Sequence, residues 1–134
     1  MRLAFTSPAT TAVINAARTW RVARDLGQPV QPVLSTRLGM PGSGFLAPVL
    51  DGLLTLFEAA FRRRFDAGDL FDSDLTGDEQ RLLELLDRDD STAPVGIRPD
   101  LAAAMRTALR STRIMLRSVL APPGDLLGSA AVPV

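Results

Sequence analysis

Between clusters of proline and glycine, this chain repeats its apolar residues every three to four positions, the spacing of a helix that buries one side. Proline breaks a helix interior and glycine weakens it, so the clusters mark where one helix stops and the next begins. Residues 8–26 form the first such segment. Ser7 suits the N-cap, Pro8 the first helical position and Gly27 the stop, while Ala9, Val13, Ala16, Ala17, Trp20 and Ala23 share one side. That side is mostly small, which lets a neighbouring helix approach closely, with Trp20 as its one large anchor.

Pro29, Pro32 and Pro41 with Gly39, Gly42 and Gly44 argue against a continuous helix over 28–44, and an irregular, extended connector is expected there. The next segment, 45–65, is the most apolar. At about 100° per residue its apolar arc covers nearly half the circumference. An arc that wide meets more than one neighbour, inside a bundle or across an oligomer interface, so Leu53, Phe57, Phe61 and Phe65 are apolar interface candidates. TGDE at 76–79 is a capping box, Thr76 at the N-cap and Glu79 at N3, and it opens a third helix with Leu82, Leu83, Leu85 and Leu86 on its apolar side. A loop is expected over 87–98. Pro99 and Asp100 then suit the start of a fourth helix running to about Leu120. The tail, 122–134, is apolar, and its Leu126 and Leu127 join the interface candidates. The expected fold is all-α: one domain over 1–134, a compact bundle of about four helices with an irregular Pro/Gly-rich connector after the first.

Chemistry is bounded by what is missing. The 134 residues hold no Cys, His, Tyr or Lys, and all 15 basic residues are arginine. No disulfide, thiolate nucleophile, imidazole base, Schiff base or P-loop lysine is available. A non-enzymatic protein without a cofactor is therefore expected. No run of about twenty residues is apolar and uncharged, so no transmembrane span is predicted and the chain reads as cytoplasmic. The residues before Arg24 are acid-free and Ser/Thr-rich, in the manner of a transit peptide, although the same segment makes a well-punctuated helix.

Formal net charge is zero, but the charges lie in blocks: eight arginines against three carboxylates over 1–65, three against eleven over 66–100, and four against one over 101–134. The first boundary falls in FEAAFRRRFDAGDLFDSD (57–74). There Glu58 precedes Arg62 by four residues, the favourable order for an ion pair, and Arg62, Arg63 and Arg64 suit the carbonyl end of a helix. Arg64 points into the apolar arc and needs to snorkel or find a carboxylate. The following DSDLTGDEQRLL begins like a calcium loop at Asp72 and Asp74 but has Leu83 where a bidentate glutamate belongs, leaving those two aspartates as weak metal candidates. GMPGSG (39–44) lacks the ending of a phosphate loop and reads as a turn.

Arg106, Arg110, Arg113 and Arg117 recur at four, three and four residues, a strip roughly 60° wide with no acid among them. Such a stripe seeks anions, and with Arg62 and Arg63 it forms the candidate partner or anion site. The carboxylates of 66–90 are the nearest supply, within the chain or from another copy. The expected function is that of a small helical accessory protein acting through protein–protein contacts, as a homo-oligomer or a subunit of a larger assembly. The alternative is a nucleic-acid-binding or regulatory module using the same stripe.

Overall fold

In the computed structural model, residues 7–39, 43–88 and 98–120 are described, and among them all regular structure is helical. The helices are α1 (Ser7–Asp25), α2 (Val30–Leu38), α3 (Ser43–Phe61), α4 (Gly77–Asp87) and, after a 3₁₀ turn at Pro99–Leu101, α5 (Ala102–Leu120).

The small face of α1 is buried throughout, with Val13, Ala16, Ala17, Trp20 and Ala23 fully inside. Its stop is a Schellman turn: Gly27 takes φ +68, Gln28 N–H donates to Ala23 O at 2.8 Å, and Gly27 N–H donates to Arg24 O at 3.3 Å. The cap expected of Ser7 lies outside the described side chains.

The irregular connector expected over 28–44 is corrected by α2. Proline acts here as a starter. Pro29 is the N-cap residue and Pro32 the third helical residue, where the backbone N–H has no intrahelical partner to lose. Gly39, at φ +61, ends the helix by donating its N–H to Ser35 O at 3.1 Å. Leu34 is the buried anchor of α2.

α3 runs through the centre, packed on α5, α2 and α1. It ends four residues earlier than its periodicity predicts, because Arg62 takes the left-handed conformation (φ 58) and Arg63 N–H donates to Glu58 O at 3.2 Å. The Glu58 carboxylate then accepts from Phe65 N–H (2.8 Å) and from Arg21 Nη1 (2.6 Å), turning the chain back so that Phe65 enters the core. The expected Glu58–Arg62 pair is thereby replaced.

Leu53, Phe57 and Phe65 are each 0% exposed, and the ring centroids of Phe61 and Phe65 lie 4.5 and 5.0 Å from that of Phe57. The apolar interface expected at these four residues is instead the monomer's own core and its edge, because α1, α2 and α5 supply the neighbours that the wide arc requires. Leu126 and Leu127 lie outside the described residues. Asp51 ties three helices together, accepting from Trp20 Nε1 (2.9 Å) and Gln31 Nε2 (3.2 Å).

Candidate functional site

Two surfaces follow from this packing, one acidic and one basic. The acidic one is the segment between α3 and α4, folded around a single arginine. Arg18, 3% exposed, reaches from α1 and donates Nε and Nη2 to the two carboxylate oxygens of Glu79 at 2.8 and 2.9 Å. Its remaining donors meet the backbone carbonyls of Asp72 (2.8 Å) and Asp74 (3.0 Å). Glu79 also accepts from the N–H groups of Gly68 and Thr76, both at 2.9 Å, and Thr76 Oγ1 accepts from Glu79 N–H at 3.1 Å to complete the capping box. A Cβ on Gly68 would lie 3.0 Å from Arg18 Nη2, so glycine lets the loop close on the guanidinium.

Burial alone would push the Glu79 carboxyl up. The hydrogen bonds from Arg18, Thr76 and Gly68, with the Arg18 charge, outweigh it and hold Glu79 below the usual carboxylate range. Arg18 is raised in turn by its hydrogen bonds to Glu79, against the opposing effect of burial. A second anchor lies beside the first: buried Asp78 accepts from Asp66 N–H (2.7 Å) and from both terminal nitrogens of Arg63.

With Glu79 and Asp78 turned inward, Asp66, Asp69, Asp72 and Asp74 are left exposed. Phe71 projects among them, 90% exposed. The weak metal candidates Asp72 and Asp74 aim their carbonyls at Arg18, and among the described residues no three ligating side chains gather as a metal site.

The basic surface is α5. Its four arginines separate in the fold. Arg113 is 8% exposed and donates Nη1 to the carbonyls of Leu85, Leu86 and Arg88 at 3.3, 3.2 and 3.2 Å, capping the C-terminus of α4. Its place in the partner site is corrected accordingly. At about 100° per residue Arg113 lies about 40° from buried Leu109, closer to the apolar arc than the other three. Arg106, Arg110 and Arg117 are exposed, and Ile114 stands beside them, 53% exposed. No acidic residue occurs in α5. Of the other two candidates, Arg62 is exposed at the end of α3 and Arg63 is committed to Asp78. Arg64, 64% exposed, has found a carboxylate in Asp25.

Arg18 is the residue that periodicity hides. It lies opposite the centre of the α1 apolar arc, where a side chain reads as solvated, and only the covering loop buries it. No family model matches the chain, and no curated protein or solved structure matches it.

Proposed function

We propose that the protein is a non-enzymatic helical accessory protein that assembles through protein–protein contacts, its copies meeting head to tail. The observation that carries this reading is the match between the two surfaces. Ile114 stands exposed beside Arg110 and Arg117 on α5, and Phe71 stands exposed in the segment that carries the exposed Asp66, Asp69, Asp72 and Asp74. Opposite charge steers such surfaces together, and the apolar side chains beside the charges add buried area to the contact. The two surfaces differ, so the contact is heterologous and extends into rings or filaments. The absence of Cys, His and Lys supports a binding role over a chemical one.

Sedimentation velocity over a range of concentrations tests the reading. The wild type is expected to associate at low salt, and Arg106→Glu/Arg117→Glu and Asp66→Arg/Asp74→Arg are each expected to stay monomeric alone and to co-assemble when mixed. A wild type that is monomeric throughout, or variants that stay apart on mixing, overturns it.

The second reading, a nucleic-acid or regulatory module, is favoured by the acid-free α5 face, on which Arg106 and Arg117 are about 16 Å apart along the axis. Phe71→Ser separates the two. It abolishes assembly between copies and leaves a phosphate contact, with its steep salt dependence, intact.

A further inference from the structure

We infer that the exposed face of α5 binds the backbone of double-stranded DNA, with one row of donors for each strand; the inference rests on the second reading of this helix and names its ligand. At about 100° per residue, Arg106, Arg110 and Arg117 lie about 40–80° to one side of Ile114. Thr107, Ser111 and Ser118 lie about 20–60° to the other side. All six are exposed, and each row runs roughly 16 Å along the helix axis. Among the described residues Arg106 and Arg117 have no carboxylate partner, and none of the three hydroxyls is hydrogen-bonded. Thr112, on the buried side of the same helix, instead donates to Ala108 O at 2.7 Å.

Arginine and hydroxyl side chains are common donors to phosphate oxygens. A row on each shoulder suits a helix lying between two phosphate backbones, and the major groove of B-DNA, about 12 Å wide, admits a helix in that way. The arginines reach further than the hydroxyls, so the helix axis lies nearer the strand that the hydroxyls meet. Two other nucleic acids match less well. α5 carries no aromatic residue on which unpaired bases could stack. The major groove of duplex RNA is too narrow to take a helix. Ile114, 53% exposed between the rows, brings no polar atom to the base edges, so binding is largely independent of sequence. The duplex and the acidic segment of another copy need the same face, and each excludes the other.

Fluorescence anisotropy of the whole chain with a mixed-sequence DNA duplex, one of its single strands and the same duplex as RNA tests the inference. Duplex DNA is expected to bind at least tenfold more tightly than either of the others. Arg106→Ala/Arg117→Ala is expected to weaken it at least tenfold at low salt and to lower the slope of log affinity against log salt by about two. Thr107→Ala/Ser111→Ala is expected to weaken it several-fold and leave the slope unchanged, since neutral donors release no counterions. All four positions are exposed, and an unaltered melting temperature shows that each variant is folded. Single-strand or RNA binding as tight as that of duplex DNA, or a hydroxyl variant that binds like the wild type, overturns the inference and leaves the second reading standing. Failure of all three nucleic acids to bind, or unchanged binding in the arginine variant, overturns both.

Discussion

At the scale of single residues, the most consequential contact is the buried pair of Arg18 and Glu79. Removing one partner of such a pair strands the other in a site that water does not reach, at a cost of roughly 3–5 kcal/mol. Glu79→Gln is therefore expected to lower the urea midpoint by that equivalent. Glu79 titrates below its unfolded value of about 4.3, so its contribution is present above that pH and is lost as pH falls through the folded value. Urea titrations between pH 2 and 6 should show a steep acid limb in the wild type and a shallower one in the variant. Arg62 bears the opposite kind of effect. A left-handed arginine costs about 1–2 kcal/mol, and glycine removes that strain while adding freedom to the unfolded chain, so Arg62→Gly is expected to stabilise by about 0.5–1 kcal/mol. Thermal denaturation of this variant measures it.

At the scale of elements, each helix depends on how its ends are finished. Arg113 serves three terminal carbonyls of α4 from a neighbouring helix, so Arg113→Met is expected to cost about 2 kcal/mol and to speed amide exchange in the last turn of α4. Arg117→Met, on the exposed face, is expected to stay within about 0.5 kcal/mol. What was legible in the chain follows the same division. The small face of α1, the capping box at Thr76 and Glu79, the Gly27 stop and the extent of α5 are set by residues within a few positions of one another, and local rules find them. α2 escapes because Pro32 is a breaker anywhere but in the first turn, which is where the helix holds it. The end of α3 escapes because Phe57, Phe61 and Phe65 keep helical spacing past the true stop, which a carboxylate–backbone bond seven residues long imposes. Arg113 and Arg18 look like their exposed neighbours until other elements cover them. The candidate site was thus half legible: the surface arginines of α5 are where spacing puts them, whereas the exposed character of Phe71 and Ile114 depends on packing.

At the scale of the whole molecule, charge balance conceals two uses of charge. Arg18 and Arg113 work inside the fold, and Arg106, Arg110 and Arg117 of α5 and the aspartates of the loop face outward. Salt acts on the two groups differently. Exposed charges are screened over about 8 Å at physiological ionic strength, whereas a buried pair is screened far less. Head-to-tail association is accordingly expected to fall between low salt and about 0.5 M, while the melting temperature of the monomer hardly moves; light scattering and thermal denaturation in one salt series check both. Among the described residues no helix is long and apolar enough to cross a membrane. The reach of Arg18 to groups 54 to 61 positions later also sets an order of events as the chain is made. The cation leaves the ribosome well before the carboxylates and carbonyls it will gather. Until α4 has formed and come to rest on α1, the acidic segment repels itself and stays hydrated. Its closure on Arg18 therefore waits for residues made long after α1, although nothing beyond α4 is needed to complete the contact.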